Sequence, residues 1–476
     1  MSAAQASVIP WDLVVIGGGT AGLVASRTAA SFGSRVLLVE ELQLGGDCLW
    51  FGCVPSKSLI AAATAATVAR RSSHLGVTAT DVTVDFARVM QHVNEARATI
   101  EPVDSAEALH RDGIDVVHGR AVFTGARTVE VDGQSIGFAQ AMVATGGSPS
   151  VPELPGADTA NILTSTTFWD ITELPANLVV LGGGAIGCEI AQAMARLGST
   201  VTLVHRGDRI LPKEDEKAAT VIAAALREDG VTLRLGRSAS SFETGAVLLD
   251  DGSRLPADVV LAAIGRRSNT KGLGFEKAGV ALDDKGNVRV DDKLRTTNPR
   301  IWSAGDVSGL PQFTHTAGVN GSIAASNAVL GLRRSVDSDA VPRVTFTHPE
   351  VGAVGIQPSE ASEHGYEVVT IEHHHLDRAI AEAATSGFTQ LVIDGKGRMF
   401  GALVVSPRAG ETLGELSLAV KNGLTTNQIA GTTHAYPTFD DAVWLAAVAN
   451  VGARLKQGVV GGATKLLHAV RSRRVR

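Results

Sequence analysis

The amino-acid sequence predicts an α/β fold built on two Rossmann-type dinucleotide-binding domains, with a further unit C-terminal to them. Glycines in GxGxxG spacing occur twice, at Gly17, Gly19 and Gly22 and again at Gly182, Gly184 and Gly187. Each set follows a short apolar run and opens a small-residue helical pattern. The chain of 476 residues is also long enough for about three domains of roughly 150 residues each. A hydrophobic content of 44% with 52 glycines fits a packed α/β protein and not a disordered chain.

In the first unit, residues 12–16 read as a buried parallel strand. The glycines follow at once, a helix continues to about Phe32, Gly33 stops it, and residues 35–39 supply the next strand with Glu40 at its end. Glycine lets the backbone approach a pyrophosphate at the helix N-terminus, and Glu40 is placed to accept from ribose hydroxyls. A helix over residues 59–71, another from about Phe86 to His110, and two short strands lead to residues 142–147. The Pro-rich stretch from Pro149 to Pro155 reads as a linker.

The second unit repeats the pattern, with a strand at residues 178–181, a helix to about Leu197, a break at Gly198 and a strand at residues 200–204. That strand is followed by His205, with Arg206 and Arg209 beyond it, and not by an acid. A carboxylate there would accept from the 2′-hydroxyl of NADH, whereas arginine accommodates the 2′-phosphate of NADPH. NADPH is therefore the expected donor and NADH the lesser fit.

Cys48 and Cys53 stand five positions apart in a glycine-flanked block, residues 45–57, that runs on into the alanine-rich helix. On one ideal helix their Cα atoms would be roughly 8–9 Å apart, beyond the about 4.4–6.8 Å of a disulfide. A bonded pair therefore needs a bend, and Gly52 is placed to allow it. Pro55 is tolerated in the first turn of the following helix, and Cys53 near that N-terminus is favoured as thiolate. On spacing alone the two read equally as ordinary core cysteines.

A net charge of −6 and a pI near 6.1 provide no basic field for nucleic acid. Cys188 has no obvious partner and reads as a small core residue, and three cysteines in so long a chain argue against a secreted disulfide scaffold. Residues 1–10 lack a charged leader with an apolar core, and no uninterrupted apolar run reaches the ~18–20 residues of a membrane span. The expected compartment is the reducing cytoplasm. The triplet His373–His375 lacks further ligands and reads as solvated, so no metal site is expected. The basic end, Leu467 to Arg476, reads as a solvated tail.

The block Gly-Gly-x-Cys-x4-Cys-x-Pro-Ser-Lys resembles the redox-active signature of the flavin-dependent pyridine nucleotide–disulfide oxidoreductases, the group that includes dihydrolipoamide dehydrogenase and mercuric reductase. The resemblance extends in family order through Ala144-Thr145-Gly146, Ser303 to Asp306 and Val344 to Gly352, to about Ala449. It implies a homodimer with an α+β C-terminal dimerisation domain and active sites shared across subunits. By the same resemblance, Cys48 exchanges with substrate, Cys53 lies against the flavin, and Lys57 pairs with Glu189 beside it. FAD contacts extend to Gly46, Thr145, Gly146 and Asp306, whose carboxylate binds the ribityl chain, with Gly265 a further cofactor-binding position. The implied domains are 1–152 for FAD, 153–272 for NAD(P)H, 273–341 returning to the FAD domain, 342–452 for dimerisation and 453–476 as the basic tail.

The stretch His434-Ala-Tyr436-Pro-Thr-Phe-Asp-Asp441 resembles the family motif that reaches the partner's cysteines. In dihydrolipoamide dehydrogenase and glutathione reductase the position before Pro-Thr is histidine, oriented by a glutamate five residues later; here those places hold Tyr436 and Asp441. An unperturbed tyrosine titrates near 10 against about 6.5 for histidine, so Tyr436 is a poor base, and His434 is not an automatic substitute. The resemblance implies electrons passing from NADPH through flavin to Cys48–Cys53, then to a small disulfide, a thiol-ligated metal ion or a similar acceptor. Two alternatives remain: a flavin-to-quinone reductase that bypasses the cysteines, and a low-turnover redox sensor.

Overall fold

The computed structural model describes residues 10–456 and 458–473. The leaderless reading of the N-terminus and the last three residues of the basic tail fall outside these. The chain divides into two compact units: residues up to 182 with 193–204 and 237–336, and residues 183–192 with 205–236 and 337 onward.

The first unit is organised on a parallel sheet. The strand Trp11–Ile16 pairs on one side with Val36–Glu40, which pairs with Ile114–His118, and on the other with Gln134–Val143, which pairs with Ile301–Ser303. Leu13 and Val15 face the helix Thr20–Ser31 and the helix Thr314–Leu330, while Val14 and Ile16 face Phe123, Phe138 and Phe275. Burial on both faces is why the strand is an unbroken apolar run. Each such side chain contributes roughly 1.5–3 kcal/mol on burial.

The two helices touch closely because a Cβ on Gly321 would stand only 2.4 Å from the Ala21 carbonyl oxygen. That approach brings the Asp306 turn and Thr314 to the same sheet end as the first glycine fingerprint. A second parallel set, Thr200–His205, Asn177–Leu181, Val259–Ala262 and Ile162–Thr164, repeats the design.

Three expectations change. The helix read from Phe86 to His110 is two helices, Phe86–Ile100 and Ala106–Arg111. Pro102 cannot continue the hydrogen-bond ladder, and Ser105 starts the second by accepting from Ala108 N–H at 3.2 Å. The two short strands before residue 142 are Ile114–His118 and an antiparallel ribbon of Ala121–Gly125, Thr128–Val131 and the long Gln134–Val143. The Pro-rich linker begins as a strand, Gly147–Pro149, paired with Arg266–Ser268.

The stretch Gly46–Leu75 is long and apolar enough to cross a membrane, with a mean hydropathy of 1.2. It bends at Phe51–Gly52, carries Asp47 and Lys57, and buries Leu59 and Ala63 within the unit.

The second unit holds a five-stranded antiparallel sheet in the order Arg343–Thr345, Glu350–Gly355, Met399–Ser406, Phe388–Ile393, Glu367–Glu372. Helices Ala409–Asn422 and Asp441–Leu455 supply Leu413, Leu416, Val443 and Ala446 to its core. His373 lies in that unit's interior with Nε2 3.0 Å from Thr389 Oγ1, and burial holds its pKa down to about 4. It is a core residue, whereas His374 and His375 are exposed.

Candidate active site

Two short turns of chain meet at the cysteines. The helix Gly46–Trp50 ends at Phe51, and the helix Cys53–Arg71 starts after Gly52, whose φ of −113° and ψ of −106° make the bend that the spacing required. Both cysteines are free of any disulfide and hydrogen-bond to each other. Cys53 Sγ also lies 3.2 Å from Thr314 Oγ1. The bond from Cys48, with Thr314 and the Lys57 ammonium, outweighs burial and brings Cys53 down to about 6. The same bond and burial push Cys48 up. Cys53 therefore holds the thiolate and Cys48 the proton, as a cysteine at a helix N-terminus beside a cation should. Cys188 is wholly buried, and burial pushes its thiol up.

The first glycine fingerprint fits a dinucleotide. Gly17 has φ +106°, and a Cβ there would stand 2.3 Å from the Ala144 carbonyl oxygen. Gly46, at φ +58°, backs onto Gly19, where a Cβ would stand 2.5 Å from its Cα. The helix Thr20–Ser31 has no side-chain cap and no acid in its first turn, so its N–H groups and dipole are available to a pyrophosphate. Glu40 is fixed at the end of its strand, accepting from Gly18 N–H at 2.5 Å and Leu42 N–H at 2.7 Å. Thr145 Oγ1 donates to the Asn269 carbonyl at 2.8 Å, and Gly146 turns at φ +66° into open space.

Asp306 starts the turn after Ile301–Ser303; burial pushes its carboxyl up, opposed by Arg266. Arg266 lies 3.3 Å from both Asp47 and Asp306 and so links the cysteine helix to that turn. Arg266, next to Gly265, and Thr314 are not singled out by sequence reasoning. Neither belongs to a local pattern, and only the folded sheet end brings them to the cysteines.

At the second fingerprint, Gly182 has φ +116°, and a Cβ would stand 2.2 Å from the Ala263 carbonyl oxygen. Gly184 and Gly265 have open space where a Cβ would point, and Gly187 lies on the helix Ala185–Leu197. Gly183 N–H points to His205 Nδ1 at 3.2 Å, the counterpart of Gly18 and Glu40. Burial and then Arg206 hold the His205 pKa down, so a neutral imidazole accepts there. Arg209 directs its guanidinium to the carbonyls of Leu211, Pro212 and Glu214, while Arg206 is exposed. On the same helix, buried Glu189 accepts from Phe346 N–H at 2.9 Å. In its own unit Lys57 Nζ is 3.3 Å from Ser56 Oγ.

The C-terminal motif departs from expectation. Asp441 does not orient Tyr436: its Oδ2 accepts from Thr438 N–H at 2.9 Å. The Tyr436 hydroxyl donates instead to Asp377, which raises its pKa. His434 has Nδ1 3.0 Å from the Thr432 carbonyl and Nε2 2.9 Å from Glu415. Burial works to lower the His434 pKa, but the bonds to Glu415 and Thr432 outweigh it. With both nitrogens donating and the side chain 9% exposed, His434 braces the turn and offers no free base. Asp440, pushed up to about 7 by burial and then by Glu415, shares a proton with that cluster. Asp377, Glu415 and Asp440 carry no signal in the sequence that marks them out.

Comparison with known proteins places these features in a family. Residues 11–321 match the family of the pyridine nucleotide-disulphide oxidoreductases, and residues 341–447 match the dimerisation domain of the same family. A mercuric reductase of Streptomyces lividans is 36% identical over 92% of this chain and 95% of its own length. A dihydrolipoyl dehydrogenase of Geobacillus stearothermophilus is 35% identical over 93% and 97%. Among solved structures, LpdA from Mycobacterium tuberculosis superposes with a TM-score of 0.85 at 30% identity, covering 92% of this chain and 99% of its own. The HOCl-induced flavoprotein disulfide reductase RclA from Escherichia coli gives 0.80 at 29%, covering 91% and 98%. The dimerisation domain supports a homodimer. The chain belongs to the pyridine nucleotide-disulphide oxidoreductases, FAD-dependent enzymes that draw on NAD(P)H, and is a flavin disulfide oxidoreductase of the mercuric reductase and dihydrolipoamide dehydrogenase type.

Proposed function

We propose that the protein uses NADPH to reduce the Cys48–Cys53 pair and delivers the electrons to a small disulfide or a thiol-ligated metal ion. The observation that carries this reading is the thiol pair itself, with Cys53 brought down to about 6 and Cys48 hydrogen-bonded to it. When bound, FAD supplies the two-electron relay between the nicotinamide and the cysteines. Gly17, Gly19 and Gly46 would cradle its pyrophosphate, with Gly22 letting the helix pack on the Gly17 turn, Glu40 would hold its ribose, and Thr145, Gly146 and Asp306 the remainder. For the donor, Gly182, Gly184, Gly187 and Gly265 shape the approach. Neutral His205 and exposed Arg206 suit a 2′-phosphate and leave a 2′-hydroxyl without its usual carboxylate.

Disulfide reduction needs Cys48 to lose its proton, and Tyr436 cannot take it, since Asp377 raises the tyrosine pKa. The adjacent Cys53 thiolate accepts the Cys48 proton as Cys48 attacks the acceptor disulfide. One thiolate leaves and takes that proton from Cys53. The Cys53 thiolate then attacks Cys48, re-forming their disulfide and releasing the second thiolate, which is protonated from solvent. In the homodimer, Tyr436 of the partner subunit exchanges its hydrogen bond to Asp377 for one donated to the departing sulfur.

The test is steady-state NADPH oxidation by the enzyme and its Cys48→Ser variant with lipoamide, small disulfides, Hg(II) and a quinone. Loss of turnover in the variant supports the dithiol route. Undiminished turnover with every active acceptor would replace it with direct flavin-to-quinone transfer. Arg206→Ala should lower the NADPH-over-NADH preference in kcat/KM by about tenfold, by removing a charge-assisted hydrogen bond.

A further inference from the structure

The dimerisation-domain match ends at residue 447, and the chain continues into a separate helix, Gly458–Arg473. Residues 462–472 of it are all exposed. Ala463, Leu466, Leu467 and Val470 recur at helical spacing and make one apolar stripe. Leu466 is 66%, Leu467 70% and Val470 46% exposed. Thr464, Lys465, His468, Arg471 and Ser472 occupy the rest of the circumference. From Ala442 to the end there are seven lysines and arginines and no acid, on a chain whose net charge is −6.

Three kinds of cover are to be weighed for a cationic helix with an apolar stripe: a second copy, nucleic acid and a bilayer. A second copy would bring Lys465, Arg471 and Arg473 close to their like-charged counterparts. Nucleic acid would use the cations and leave the leucines in water. A surface of anionic headgroups over acyl chains meets both faces at once. The acidic remainder of the chain is repelled by the same surface, so attachment is confined to this helix.

We infer that the Gly458–Arg473 helix docks this protein on anionic phospholipid membranes, lying in the headgroup plane with Leu466, Leu467 and Val470 inserted. The inference is independent of the electron acceptor. The helix is about 24 Å long at 1.5 Å per residue, enough to lie along the interface.

The test is co-sedimentation of the full-length holoenzyme with vesicles of phosphatidylcholine alone and with one third phosphatidylglycerol. Binding should be at least tenfold stronger to the anionic vesicles and fall with salt. Leu466→Glu with Leu467→Glu should abolish it. Lys465→Gln with Arg471→Gln should weaken it about 30-fold, from the contribution of two cations near the surface. Both double variants should retain the NADPH-oxidising activity of the parent. Equal affinity for the two vesicles, no binding, or binding kept by the leucine variant would overturn the inference. So would a change of oligomeric state in that variant, which would assign the stripe to a second copy.

Discussion

A phenol that donates to a carboxylate is harder to ionise, so Tyr436 beside Asp377 works as a donor at neutral pH and not as a base. Tyr436→Phe should lower kcat/KM for a disulfide acceptor by about threefold to tenfold, the worth of one hydrogen bond. Asp377→Asn should lower it less, because the hydroxyl stays in place. Quinone reduction by the same variants should not change. Equal losses with both acceptor types, measured side by side, would remove Tyr436 from the sulfur chemistry.

The cysteine pair was legible in the sequence because its constraints are local: a five-residue spacing, a glycine at the bend and a helix start at Cys53. Asp377 was not, since it lies 59 residues from Tyr436 and meets it only through the folded sheet. The expected partner, Asp441, was claimed by the local need of Thr438 N–H at the start of the helix Asp441–Leu455.

At the scale of elements, the helix Thr314–Leu330 does two jobs. It packs on Thr20–Ser31 through Gly321, and its first residue bonds Cys53. Gly321→Ala would force a Cβ against the Ala21 backbone, and overpacking of this kind costs about 1–3 kcal/mol. Thermal unfolding should show that loss, and flavin content should fall with it, because Ala21 belongs to the helix that receives the pyrophosphate.

The turn before the helix Asp441–Leu455 adds a pH dependence. His434 and Asp440 both have folded pKa values above their ordinary ones. Their contributions to stability are therefore fully present at low pH and are lost as pH rises, for Asp440 from its ordinary 3.8 to about 7. Denaturant midpoints should decline over that interval. Glu415→Gln removes a partner that raises both but leaves the burial that is the main cause at Asp440, so it should make the decline shallower without abolishing it. Periodicity identified the long helices but missed the break at Pro102, where the apolar pattern continues through a residue that cannot donate.

At the scale of the molecule, the α/β class was plain because parallel strands buried on both faces leave apolar runs that glycine punctuates. The boundaries were less plain. The compact units cut through the second glycine loop between Gly182 and Gly183, a division made by three-dimensional packing that no composition shift marks. The family motifs mark the cofactor and cysteine positions and do not encode the electron acceptor.

Cys188 has one more consequence. With that thiol sealed in the interior, a reagent that alkylates accessible sulfur under native conditions meets a two-cysteine protein. Adducts should then appear on the Cys48–Cys53 pair alone when it is reduced and on no cysteine when it is oxidised. The protein thus carries a built-in gauge of its own electron load, readable in a cell extract quenched at any moment.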